Sequence, residues 1–221
     1  MRNKSETDLF QEYAATLENS LEIITGEKRT FYTVIKRVID ILFSLIGLII
    51  TFPAIILFSI LIKLETPGTV FFLQERVGLN GRYFTIIKLR SMGIDAEKNG
   101  AKWAEKNDPR VTKVGAFIRK TRIDEIPQLW NVLIGEMSLI GPRPERPMFT
   151  AKFNDEIPGF VERLKVKPGI TGWAQINGGY DITPEEKLHL DLYYIKNLSF
   201  LIDIKIIIKT VKVIITGEGA R

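Results

Sequence analysis

The stretch ILFSLIGLIITFPAIILFSILI, residues 41–62, carries no charged side chain over its whole length. Asp40 stands directly before it and Lys63 directly after it, so the uncharged run has sharp ends. A helix of about 20 apolar residues crosses a hydrocarbon core of ~30 Å, and this run meets that length. A buried core helix is the competing reading, but a chain of 221 residues has little protein with which to cover such a helix on every side. The run is therefore read as a membrane segment. Pro53 lies in its middle. Proline removes a backbone donor and clashes with the carbonyl four residues back, so a kink or a break is expected there. Two geometries follow: a kinked helix that spans, or two half-helices that enter and leave on one face with the freed backbone groups satisfied locally. Lys28, Arg29, Lys36 and Arg37 precede the run and a basic remainder follows it, which favours the same face for both ends. Thr51, two residues before Pro53, is placed to bond the freed carbonyls.

Composition limits the chemistry. Cysteine is absent, which excludes disulfides, thiolate metal sites and a cysteine nucleophile. The single histidine, His189, stands on a predicted helix with no serine in a nucleophile-elbow context, so a structural role is expected for it. Carboxylates, arginines, lysines and a hard cation remain. The net charge of +5 suits nucleic acid, an anionic membrane surface or a phosphorylated substrate, and the apolar run selects the last two.

Outward from the anchor, residues 1–30 form a polar extension with one candidate helix from Thr7 to Asn19. TVFFLQERVG and YFTIIKLRSM flank Asn80–Gly81 and predict a β-hairpin. A basic helix is expected from Val114 to about Arg122, and a second, QLWNVLIGE, begins at Pro127. GPRPERP, residues 141–147, and KPGITGWAQINGG, residues 167–179, read as loops. Thr183 and Glu186 form a capping-box pattern for a helix from Pro184 to about Lys196. In FLIDIKIIIKTVKVIIT, Lys205, Lys209 and Lys212 share one helical face, which fits either a helix lying in the membrane interface or one packed on the core. Leu129 and Trp130 are expected in the core, whereas Trp173 suits the membrane interface or a substrate contact equally.

Asp124 and Glu125 are adjacent carboxylates just ahead of the proline-initiated helix. Acidic residues at a helix start are favourable in themselves, by up to ~1 kcal/mol, so the pair alone is a common structural device. Its surroundings argue for more. Arg119 and Arg122 lie within two turns, a positive field that lowers carboxylate pKa values and suits phosphate. Carboxylates form acyl-phosphate intermediates when cations screen the repulsion between anions. Glu136 is read as either a substrate or metal contact or a solvated helix end.

Five segments in order, IKRVIDILFSLIGL, FFLQERVGLNGRYFTIIKLRSM, DEIPQLWNVLIGEMSLIGPRP, KPGITGWAQINGG and LDLYYIKNLSFLIDIKII, resemble the bacterial sugar transferase family over about residues 34–216. These are the monotopic polyprenyl-phosphate phosphoglycosyl transferases. The resemblance implies an α+β fold, mostly helical with a small β-hairpin. It also implies a re-entrant membrane helix broken at Pro53, with Thr51 beside it, on the cytoplasmic face of the bacterial inner membrane. It divides the chain into the extension 1–30, the anchor 31–65, a catalytic domain 66–199 and an amphipathic interfacial helix and tail 200–221. It implies a sugar 1-phosphate moved from a UDP-sugar to polyprenyl (undecaprenyl) phosphate, with UMP released and lipid-linked glycan synthesis begun (exopolysaccharide, O-antigen or glycoprotein glycan). Asp124 matches the covalent nucleophile and Glu125 its dyad partner, both at a Mg2+ site; Lys88, Arg119 and Arg143 match basic substrate-binding positions. Partners are then UDP-sugar, polyprenyl phosphate and membrane phospholipids, without nucleic acid; a homo-oligomer remains open. Phe52 stands where small members carry serine before the breaking proline, and Gly179 where many carry arginine. Two rivals stay open: a membrane-bound magnesium-dependent phosphatase or pyrophosphatase, and a non-enzymatic membrane adaptor.

Overall fold

The computed structural model of the chain describes residues 27–98, 100, 108–178 and 182–216. The candidate helix Thr7–Asn19 and the Gly179 position lie outside these residues. Within them the molecule is mostly helical, as the resemblance implied, with two small sheets where one hairpin was expected.

Helix α1, Glu27–Glu65, is one helical element of 39 residues with Pro53 inside it. The chain does not separate into two half-helices; the expected break is a proline within a continuous helix. Nor does Thr51 satisfy the carbonyl that Pro53 frees. Its hydroxyl donates to the Gly47 carbonyl at 2.6 Å, whereas proline deprives the carbonyl of Ile49, four residues back. Such back-bonding bends a helix rather than repairing it. Ile49, Ile50, Phe52, Leu57 and Ile60 are exposed. The helix is long and apolar enough to cross a membrane and is barely covered by the rest of the chain.

Strands β1, Phe71–Val77, and β2, Tyr83–Leu89, form the expected antiparallel hairpin, pairing Phe71 with Leu89 and Val77 with Tyr83. The connection turns at Asn80 and Gly81, both at positive φ (53° and 76°). Asparagine and glycine tolerate that region, which is why this dipeptide marked the turn. Helix α2, Lys113–Lys120, and helix α3, Gln128–Ile134, bracket a 3-10 turn at Ile123–Glu125. Strand β3, Ser138–Ile140, pairs in parallel with β4, Gly169–Thr171. Between them lie α4, Pro147–Glu156, and a 3-10 segment, Phe160–Lys165. Helix α5, Trp173–Asn177, follows β4, so the glycine-punctuated stretch read as a loop is a short strand and a short helix. Neither is long enough to show a hydrophobic period.

Helix α6, Pro184–Lys196, starts on the predicted capping box: Thr183 accepts from the Glu186 amide and the Glu186 carboxylate accepts from the Thr183 amide. Helix α7, Phe200–Thr216, has two apolar faces. Ile202 and Ile206 are buried with Ile140, Tyr194 and Ile195, while Leu201, Ile204, Ile207, Ile208 and Val211 are exposed. Core packing thus uses one face and leaves the other free. Trp130, expected in the core, is 49% exposed. Trp173 stacks on Tyr193 beneath the Lys209 ammonium. His189 is exposed on α6.

The anchor is bound to the domain at both ends. Near its start, Tyr32 and Lys36 donate to Asp203 on α7, and Arg37 donates to the Val132 and Leu133 carbonyls at the end of α3. Near its end, Ile62 is buried with Leu89 and Ile118, a contact worth about 1.5–3 kcal/mol for that side chain.

Candidate active site

The dyad turn is shaped by its neighbours in sequence. Arg122 adopts φ 59°, a left-handed conformation that costs a non-glycine residue about 1–2 kcal/mol. That kink ends α2 and starts the 3-10 turn on which Asp124 and Glu125 sit, both buried. Strain of this kind persists where packing fixes it, and it gathers at functional sites.

The two carboxylates have opposite surroundings. Lys88 on β2 donates to Glu125 Oε1 at 2.8 Å, and Arg143 bonds both Glu125 oxygens. Arg122 lies 4.0 Å from Oε2. Burial pulls the Glu125 carboxyl upward, but the Arg143 guanidinium and Lys88 ammonium outweigh it and hold it well below the usual carboxylate range. Asp124 takes no hydrogen bond or ion pair among the described residues. Burial, reinforced by the Glu125 charge, pushes its carboxyl up to about 6 against the pull of Lys88, Arg143 and the more distant Arg119. The simple expectation that nearby arginines depress both acids therefore holds for Glu125 and fails for Asp124. Asp124 sits inside the positive field without being bonded to it.

Lys88 is set by its strand. Asn131 on α3 receives the Ile87 amide and donates to the Thr85 carbonyl, fixing β2 beside the dyad. The same amide donates to Glu136 at 2.7 Å. Glu136 is thus at the far end of α3 from the dyad and holds Asn131; it is not brought to the site. Arg119 occupies the last turn of α2 and is not bonded to the dyad.

The loop carrying Arg143 is held from several sides. Arg163, bonded to Asp191 in a pair whose side chains are each 1% exposed, also donates to the Arg143 carbonyl at 2.8 Å. Arg76 donates to the Pro144 carbonyl. Backbone bonds cross the β3–β4 junction, with the Gly141 amide donating to the Thr171 carbonyl and the Gly169 amide to the Pro142 carbonyl. The backbones approach so closely that a Cβ on Gly141 would stand 2.3 Å from the Lys167 oxygen. One on Gly169 would stand 2.0 Å from the Gly141 nitrogen, and one on Gly172 would stand 2.2 Å from the Gly141 oxygen. Only glycine fits at these three places.

A cavity of about 390 Å³ opens beside Glu125. Its lining combines charged side chains, Arg76, Arg122, Glu125, Arg143, Glu145 and Lys187, with apolar ones, Ile126, Leu129, Ile170, Ala174, Ile182 and Val213. Leu129 also reaches the anchor, where a Cβ on Gly47 would meet it at 2.9 Å. Thr210 and Val213 bring α7 into the cavity lining. Burial lowers the Lys187 ammonium, and Lys187 pairs with Glu145. Burial likewise lowers Arg76 to about 10. Arg76, Glu145, Lys187 and Gln175 were not foreseen as site residues. The alternation of FFLQERV puts Arg76 on one face with Phe72 and Gln74, a mixed pattern with no clear inside.

The donor set also suits a divalent cation. Magnesium uses one or two carboxylates and keeps several waters and substrate oxygens, and unbonded Asp124 beside Glu125 offers that. Among the described residues no group of three or more acidic, histidine or cysteine side chains builds a closed cage.

A sequence profile of the family described as bacterial sugar transferase matches residues 31–217. A Bacillus subtilis (strain 168) protein provisionally named undecaprenyl-phosphate N-acetylgalactosaminyl 1-phosphate transferase is 67% identical over 139 residues, covering 63% of this chain and 78% of its own. An Aeromonas hydrophila UDP-N-acetylgalactosamine-undecaprenyl-phosphate N-acetylgalactosaminephosphotransferase is 50% identical over 193 residues, 86% of this chain and 46% of its own. An Escherichia coli (strain K12) UDP-glucose:undecaprenyl-phosphate glucose-1-phosphate transferase is 42% identical over 182 residues, 80% of this chain and 39% of its own. The chain spans less than half the length of the latter two. With the profile covering the anchor, the dyad turn, the Arg143 loop and α7 in one continuous match, the chain belongs to the bacterial sugar transferase family.

Proposed function

We propose that this protein transfers a sugar 1-phosphate from a UDP-sugar to a polyprenyl phosphate through a covalent aspartyl intermediate. The observation that carries the reading is the division of labour in the dyad. Glu125 is bonded to Lys88 and Arg143, whereas Asp124 is buried, unbonded among the described residues and poised near 6. A carboxylate with free lone pairs is the nucleophile such chemistry needs. Glu125, held ionised, is a poor proton acceptor; its part is to gather Lys88 and Arg143 where phosphate charge develops.

In the first step an Asp124 oxygen forms a bond to the β-phosphorus and the bond from that phosphorus to the bridging oxygen breaks. UMP leaves with the bridging oxygen and its electron pair. In the second step an oxygen of the lipid phosphate forms a bond to the same phosphorus and the Asp124–phosphorus bond breaks, restoring the carboxylate. Arg143, Lys88 and Arg122 offset the anionic charge in both steps. Magnesium, when bound at Asp124 and Glu125, supplies further neutralisation of the diphosphate oxygens. Apolar side chains, Val213 of α7 among them, line the same cavity and suit a lipid acceptor.

The same reading places α1 in the bilayer without crossing it. Both its ends dock on one domain, and the exposed apolar stretch lies between them. A spanning helix sends its ends to opposite faces, so a shared docking partner favours the monotopic, cytoplasm-facing arrangement, with the free face of α7 in the interface.

Intact-mass analysis after incubation with UDP-sugars and no acceptor tests the chemistry. UDP-N-acetylgalactosamine heads the panel because two relatives carry that sugar in their names. A phosphosugar adduct is expected in wild type and absent in Asp124→Asn. UMP release only in the presence of lipid, with no adduct under any condition, would replace the covalent route by direct transfer. Sugar phosphate released without lipid would favour a hydrolase.

A further inference from the structure

The geometry points to Arg37, three turns into α1, and Glu65, at its end, as positioning residues that brace the dyad turn between them. This rests on the proposed chemistry only for what the turn does; the brace itself is a matter of contacts.

The dyad lies between α2 and α3, and the outer end of each helix is held by a charge from the anchor. The Glu65 carboxylate accepts from the Lys113 amide at 2.7 Å and from the Val114 amide at 3.1 Å, at the start of α2. Thr112 takes the next donor, the Gly115 amide, so three orphan amides of α2 are satisfied together. At the other extreme, the Arg37 guanidinium donates to the Val132 carbonyl at 2.6 Å and the Leu133 carbonyl at 2.7 Å, the last turn of α3. A negative charge meets the positive end of one helix dipole and a positive charge meets the negative end of the other. Both contacts come from one helix, so the distance between the two grips is fixed by α1 and its proline.

Asp40 adds a third grip. It accepts from the Leu139 amide at 2.9 Å and the Ser138 hydroxyl at 3.1 Å, on the strand that leads to Arg143. The segments bearing Asp124, Glu125 and Arg143 thus share one support. Ordinary helix packing needs no charges at these points. Glu65 is only partly buried and Lys63, two residues earlier, bonds the nearby Gly68 carbonyl instead. The pairing of sign with helix end is what a brace requires. The consequence is that seating α1 in the bilayer sets the dyad geometry.

The test uses full-length protein in lipid nanodiscs with Glu65→Gln and Arg37→Gln, the restoring variant Arg37→Lys, and Lys152→Gln on exposed α4 as control. The chain has no cysteine, so spin labels at Lys120→Cys and Ile134→Cys report the α2–α3 distance cleanly. The expected result is a broadened distance distribution in both glutamine variants. Adduct formation at saturating UDP-sugar should fall about tenfold, the half-saturating donor concentration should change little, and Arg37→Lys should recover most of the rate. Unfolding temperature and vesicle flotation are expected to match wild type. Unchanged rates and distances would overturn the brace, as would losses that track unfolding or detachment. Broadened distances with no adduct even in wild type would leave the brace standing and remove the aspartyl chemistry.

Discussion

The dyad turn and the Arg163–Asp191 pair are both buried assemblies of charge, yet they are built to opposite ends. Arg163 and Asp191 satisfy each other in the core, and the spare guanidinium donor goes to the Arg143 carbonyl. The two charges there offset each other. At the dyad the cations converge on Glu125 and pass Asp124 by, so one buried carboxylate remains without a partner among the described residues. The difference separates holding from reacting. A balanced pair resists change, whereas an unbalanced one stores a group ready to take a new bond.

The contrast can be broken most severely at Asp191. Asp191→Asn leaves the Arg163 charge uncompensated in the core, and a loss of about 3–5 kcal/mol is expected in chemical denaturation. Activity should fall with folded fraction rather than ahead of it. Arg143→Gln attacks the other side. Adduct formation should drop by about 10²–10³-fold, with a smaller stability loss than at Asp191 because Arg143 is partly exposed and Lys88 stays bonded to Glu125. A stability loss as large as that of Asp191→Asn would erase the distinction.

Proton linkage sharpens the comparison further. Asp124 has its folded pKa raised to about 6, so as nucleophile it gains activity as pH rises through that value. The single-turnover rate should climb about tenfold between pH 5 and 7, levelling above. The sign for stability is the reverse: a carboxyl raised above its unfolded value destabilises as it ionises, between about 4 and 6. Asp124→Asn should abolish the rate profile and remove that destabilisation, read from melting temperature against pH. A flat rate profile in wild type would detach Asp124 from the chemistry. The smallest effect is expected at Thr183→Ala, which deletes the exposed cap of α6 while leaving both charge clusters in place, and should cost about 1 kcal/mol with kcat unchanged.

Features written in neighbouring residues were legible in the sequence. Asn80–Gly81 fixed the hairpin turn, Thr183 with Glu186 fixed the start of α6, and Pro127 marked the start of α3. Asp124, Glu125, Lys88 and Arg143, quoted from motifs far apart in the chain, do meet at one site. Features that depend on distant partners were not legible. Arg76 and Lys187 face the cavity because β1 and α6 converge there, and no local pattern states this. Glu136 had the right chemistry but lies beyond the far end of α3, a direction that spacing alone does not give. Thr51 lay near enough to Pro53, yet its hydroxyl follows its own helical turn back to Gly47. Strand β4 was hidden because three residues hold no period.

The crossing of Gly141, Gly169 and Gly172 bears on how such a site is mapped. Arg143 is held at its distance from Glu125 partly by three positions that have no side chain to delete. A scan that replaces residues with alanine looks for what is lost, but at these positions it adds an atom. The added methyl displaces the backbone beneath the arginine. Residues that touch neither substrate nor metal will then score like catalytic ones, and telling them apart takes a measure of distance rather than of rate.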